Sequence, residues 1–269
     1  MMTTRWSATV LLLGLFVSRA HAGTISISIT STAELQGDKL QVKITVKNSG
    51  DEAAQSVTPV LHFRGQEARG QARPQLEPGA SMEQTLTLPA DKLATGRWPF
   101  SVAVDYTDAA SWPFQAMHAA TVTNGSPPPA KVGIEKIAAT TLAGAGSIDA
   151  TAANLSATER KVTPSVIVPE GIEAKATLGE ITLAAWEKKP ISVPLVNRTA
   201  KEGSRYPVFV VLEYDDGDAH QSLVSSGVVE IEPPPSYDRQ KQVLYIGAGV
   251  LGALWVATML WRVVRRQPA

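Results

Sequence analysis

The chain has 269 residues, 44% hydrophobic and 19% charged, which is room for about two domains with cores and excludes disorder throughout. Formal charge is zero, and residues 24–123 and 131–232 are each mildly acidic, so no concentrated basic face is available for nucleic acid. Cysteine is absent, which removes thiol catalysis, disulfides and cysteine metal sites, and in an exported chain points to a bacterial envelope protein.

Residues 1–22 read as a signal peptide. Arg5 is a short positive start, Ala8 to Val17 is an apolar run of ten, and Ala20 and Ala22 are small residues at the cleavage positions. Such a run is too short to span a bilayer comfortably. Cleavage is expected after Ala22.

Residues 23–124 read as a first β-sandwich. Ile25, Ile27 and Ile29 alternate with polar residues, as do Leu40, Val42, Ile44 and Val46. A period of two is what a strand with one buried face needs. Met82 to Leu88 and Val102 to Tyr106 continue the series. Asn48-Ser49-Gly50-Asp51 and Glu77-Pro78-Gly79 are turn signals between them.

Residues 131–232 repeat the pattern. Val57-Thr58-Pro59 returns as Val162-Thr163-Pro164, Asn48 as Asn154, and Arg97-Trp98-Pro99 to Tyr106 as Arg205-Tyr206-Pro207 to Tyr214. The offset stays between 105 and 108 residues. A duplicated unit of about one hundred residues is the usual size of an immunoglobulin-like sandwich. The fold class expected is therefore all-β, two tandem sandwiches followed by one C-terminal transmembrane helix. Residues 125–130 and 233–242 are proline-rich linkers, expected to be stiff spacers that hold the domains in a row.

A family resemblance rests on these turns. Val46-Lys47-Asn48-Ser49-Gly50, Ala53 to Val60 and Leu76-Glu77-Pro78-Gly79-Ala80-Ser81 resemble the CARDB type of module, the cell-adhesion-related domain of bacteria. Val168-Pro169-Glu170-Gly171 is similar to related sandwich modules found beside bacterial glycosidases. The second copy departs at Leu183-Ala184-Ala185-Trp186, where a Pro-Gly turn would stand. The resemblance implies a module for adhesion, presentation or protein contact, not an activity.

Chemistry-bearing motifs are sparse. His62, His118 and His220 have no metal-ligand spacing, and no G-x-S-x-G elbow, phosphate loop or dinucleotide glycine pattern occurs. The chain is expected to be no enzyme and to need no cofactor. Asp215, Asp216 and Asp218 surround Gly217; clustered carboxylates suit Ca²⁺, but Asp-Gly is also a preferred hairpin turn. Trp112, Phe114 and Trp186 are candidate contact residues, since large aromatics at loop edges serve as interface anchors. They equally suit the covering of a sandwich end. Three Asn-x-Ser/Thr patterns, at Asn124, Asn154 and Asn197, are read as coincidence in a bacterial chain.

Residues 243–261 hold no charge and would cover about 28 Å as a helix, roughly a hydrocarbon core. Arg262, Arg265 and Arg266 follow, so residues 262–269 form a short cytoplasmic tail by the positive-inside tendency. Gly249, Ala253 and Ala257 place small residues on one helix face for packing against another helix. The chain is thus expected in a bacterial cell membrane, with one span, its domains periplasmic or extracellular, and a membrane or envelope protein as partner. The alternative is an adhesion module that binds surface polysaccharide through its aromatics.

Overall fold

The computed structural model describes residues 23–232 apart from 139, 176 and 177, and positions 243–248, 251, 252, 255 and 258. The first unit holds β1 (Ile27–Gln36), β2 (Lys39–Asn48), β3 (Ala54–Phe63), β4 (Gln66–Arg69), β5 (Arg73–Leu76), β6 (Ser81–Pro89), β7 (Gly96–Thr107) and β8 (Pro113–Asn124). Strands β1, β2 and β6 form one antiparallel sheet; β4 and β5 pair with β3, β3 with β7, and β7 with β8 in the other. Alternation in β2 buries Leu40, Val42, Ile44 and Val46 against Phe100, Val102 and Val104 of β7 in one core. The first strand begins at Ile27, later than the alternation from Ile25 suggests, because the preceding Thr24 carbonyl instead accepts from the Asp51 and Glu52 N–H groups.

The second unit holds β9 (Val132–Ile137), β10 (Thr140–Leu142), β11 (Ala145–Asn154), β12 (Arg160–Ile167), β13 (Ile172–Ala174), β14 (Ile181–Leu183), β15 (Lys188–Asn197), β16 (Arg205–Asp216) and β17 (Ala219–Ile231). One sheet runs β13-β15-β11-β9 and the other β14-β12-β16-β17, with β10 parallel to β17. Its core gathers Ile148, Val193, Leu195, Val208, Val210 and Leu212.

Each core is pinned by the same asparagine. Asn48 is fully buried, donates to the carbonyls of Glu52 (2.7 Å) and Leu76 (3.1 Å), and accepts from the Gly50 N–H (3.0 Å). Asn154, 2% exposed, donates to Thr158, Leu183 and Ala184 and accepts from the Ser156 N–H (3.0 Å). Turn carbonyls with no strand partner need such a donor.

The two units do not stand in a row. Strand β8 lies over β16 and β17, and a parallel bridge at Gly96 and His220 joins β7 to β17. Phe209 and Val211 of β16 turn away from their own core yet are 6% and 1% exposed. Ser101 and Ala103 of β7, at 6% and 2%, do the same in the first unit. The sheet faces that turn away from the cores thus bury each other, which a proline spacer alone cannot achieve. The linker follows this packing: the Pro128 carbonyl is held inside the junction by Arg97 (3.0 Å) and Gln221 (3.1 Å).

Among the described residues no helix is long and apolar enough to cross a membrane. Positions 243–248, 251, 252, 255 and 258 are helical and those side chains are exposed. The remaining positions of the proposed span, including Gly249, Ala253 and Ala257, lie outside the described residues, as do 1–22, 233–242 and 262–269.

Candidate docking site between the sandwiches

The junction has two poles, and sequence equivalence relates them. Tyr106 pairs with Phe114 in the first hairpin, and Tyr214 pairs with Gln221 in the second. Gly96 therefore corresponds to Ser204, Arg97 to Arg205, Pro113 to His220 and Phe114 to Gln221. Exchanging the units carries the contact of β7 with β17 onto the contact of β8 with β16.

One pole is closed. A Cβ at Gly96 would overlap the His220 carbonyl oxygen, and its φ of 152° is a conformation L side chains rarely adopt. The His220 N–H donates to the Thr95 carbonyl (2.9 Å). Its ring stacks on Trp98 at 4.0 Å between centroids, and Arg64 lies over Trp98 at 5.3 Å. Glu213 (3.2 Å) and Asp215 (3.0 Å) flank the two ring nitrogens. The bond to Glu213, with help from Asp215 and against partial burial, raises the His220 pKa above its ordinary value. Arg97 donates to the buried Gln221 side chain (2.6 Å), completing a polar staple around Pro128.

The other pole is open. A cavity of about 460 Å³ is lined by Ile25, Tyr106, Phe114, Met117, Arg205 and Tyr206, among others. Tyr106 stacks on Phe114 (5.5 Å), and the Lys201 ammonium lies 5.0 Å from the Phe114 ring. Burial and the nearby Tyr206 push the Tyr106 phenol up to about 12, so it stays a neutral donor. Two residue changes keep this pole open. Ser204 stands where closure used Gly96, and Pro113 has no N–H to give where His220 gave one.

The aromatic candidates separate. Phe114 is in the open cleft. Trp112 is 48% exposed at the tip of the β7–β8 hairpin, on the same side. Trp186 is 65% exposed at the other end of the second unit, where its N–H donates to Ser156 (3.2 Å). The three do not share one face. Trp186 also has φ 60° in the position that Gly79 holds at φ 76° in the first unit. A bulky residue there is a backbone outlier.

The aspartates disperse too. Asp215 turns to His220, while Asp216 is paired with Lys131 (2.7 Å) and Arg160 (2.8 Å). The Lys131 bond foremost, then Arg160, holds the Asp216 carboxyl below its usual range despite burial. Asp218 sits in the turn, and no group of three potential metal ligands occurs among the described residues. The asparagines of the three sequons spend their amides on backbone: Asn124 on Leu93 and Ala94, Asn197 on Ala200, and Asn154 as above.

The staple residues Arg97, Trp98, His220 and Gln221 are absent from the sequence-based candidates. A signal existed: Val208-Phe209-Val210-Val211-Leu212 is a continuous apolar run, the mark of a strand buried on both faces.

Fold and junction define a pair of β-sandwich modules packed face to face. Residues 24–110, from before β1 to the β7–β8 hairpin, match the family model CARDB, so the first unit is an immunoglobulin-like module of that kind. No curated protein matches the chain. Among solved structures, trypsin-activated α2-macroglobulin from Escherichia coli aligns over 77% of this chain and 18% of its own, at 10% identity and TM-score 0.31. Red sea bream transglutaminase aligns over 77% of this chain and 31% of its own, at 12% identity and TM-score 0.29. The periplasmic chaperone SfaE aligns over 77% of this chain and 100% of its own, at 15% identity and TM-score 0.29. This chain thus spans less than a third of the first two, and scores this low carry no argument about its activity.

Proposed function

We propose that this protein is a non-enzymatic docking subunit of a bacterial envelope assembly, anchored by residues 243–261, with its sandwiches outside the cytoplasm. The observation that carries the reading is the face-to-face packing, which presents Trp112 and Trp186 at opposite ends and a cleft at one pole. Contacts spread in this way suit protein surfaces that meet the module at several points. They do not favour polysaccharide binding on a single aromatic platform. The strained, exposed Trp186 supports a contact role, because a backbone outlier with no packing purpose is better explained by one. A charge-free run next to three arginines supports the anchor.

The test is co-purification from mild-detergent membrane extracts with identification by mass spectrometry. The intact chain is compared with one in which 243–261 is a plain Leu-rich anchor, and with Trp112→Ala and Trp186→Ala. A stoichiometric partner, lost on one of these changes, is expected. Fractionation of the intact chain away from membranes, or no partner in any extract, would sink the proposal.

A further inference from the structure

We propose that the open cleft between the sandwiches receives an extended, proline-bearing segment of the partner protein, clamped by Arg205 against Tyr106 and Phe114. This rests on the docking reading and names its chemistry. The template is the molecule's own closed pole, onto which unit exchange maps the cleft. There the occupant is known: the linker 127–129, three prolines in a row, whose Pro128 carbonyl accepts from Arg97 and Gln221. Unit exchange places Arg205 where Arg97 stands.

What differs at the cleft favours a guest from outside. Ser204 and Pro113 remove the glycine and the N–H that let the two units close on each other at the first pole. Phe114 replaces the Gln221 amide with a ring, beside Tyr106 and Tyr206, whose closed-pole counterparts Tyr214 and Trp98 are aromatic too. Proline segments adopt polyproline II, expose their carbonyls, lose little entropy on binding and prefer aromatic-lined grooves. Arg205 rests on Glu230 (3.2 Å) with its side chain 73% exposed. An ion pair that exposed costs little to exchange for a carbonyl.

The probe is a synthetic peptide with the sequence of residues 124–130, labelled and titrated into the full-length protein in detergent micelles, followed by fluorescence anisotropy. Saturable binding is expected. Arg205→Gln should weaken it about tenfold, the loss of one charge-assisted hydrogen bond. Replacing the three peptide prolines by alanine should weaken it further. Arg205 is exposed, so the variant keeps its fold, which circular dichroism checks. Absence of saturation, or equal affinity for Arg205→Gln, overturns the proposal. So does binding that emerges only after residues 233–235 are changed to Gly-Ser, since the chain's own segment would then compete for the cleft. Loss of peptide binding in Arg205→Gln with full retention of the co-purified partner removes the cleft from the interface while leaving the docking function standing.

Discussion

Trp186 and the two buried asparagines show how a single position decides stability in opposite ways. Asn48 and Asn154 each donate to the carbonyls of neighbouring turns and strand ends. Replacing Asn154 by alanine takes its amide from the buried Leu183 carbonyl and leaves the Thr158 and Ala184 carbonyls only the Ser156 hydroxyl and the Glu187 N–H, which should cost about 2 kcal/mol. Urea unfolding would measure this, and a loss below about 1 kcal/mol would contradict the role. Trp186 is the reverse case. It occupies a left-handed turn while 65% exposed, so Trp186→Gly should stabilise the protein by roughly 1 kcal/mol. The same denaturation experiment checks it: destabilisation would mean that the ring packs usefully in the free protein. The asparagines were visible in the sequence as a repeated residue at a fixed offset. Their burial was not, because Asn48-Ser49-Gly50 marks only a turn and Asn154-Leu155-Ser156 reads alike in a turn and in a glycan acceptor.

At the level of elements, the contact of β7 with β17 carries a titrating group. His220 lies between Glu213 and Asp215 on one side and Trp98 on the other, with Arg64 beyond the indole. Its protonated form is favoured in the folded protein. The stabilisation is therefore fully present below the ordinary value of 6.5 and is lost as pH rises through the higher folded value. The stability difference between the native chain and His220→Gln should shrink as pH rises above 6.5. Paired denaturation curves across that range measure it; a difference that grows with pH would rule out the charged pairing. Arg97→Ala should do more, since it leaves the buried Gln221 side-chain oxygen without its donor and takes one of two donors from the Pro128 carbonyl. Amide exchange at His220 should then accelerate, its N–H being the bond that closes the pole. Unchanged exchange would show that the bridge stands without the staple. Alternation in β2 and the Asp-Gly turn between β16 and β17 were readable because local periodicity and turn chemistry set them. Pairing of β7 with β17 was not, because it depends on a glycine whose need appears only when another chain segment is in contact with it.

For the molecule as a whole, the face-to-face stack turns a duplicated sequence into a structure with two unequal poles. Duplication explains why Arg97 and Arg205 both exist, and divergence at Gly96/Ser204 and His220/Pro113 explains why one pole closed and the other did not. A proline linker in sequence suggested a spacer; in the structure its carbonyl is part of the junction, because buried polar groups at the interface needed an acceptor. The docking reading depends on this packing: units in a row would have no cleft. The chain has no native cysteine, so a pair can be introduced cleanly. Gln115 accepts from the Glu170 N–H at 2.9 Å across the open pole. The decisive measurement is a short bismaleimide cross-link of Gln115→Cys with Glu170→Cys in the full-length protein, with a protease site placed in residues 125–127. Face-to-face packing predicts that the two halves stay joined after cleavage. Halves that separate, while single-cysteine controls react normally, would show units held apart and contradict the account.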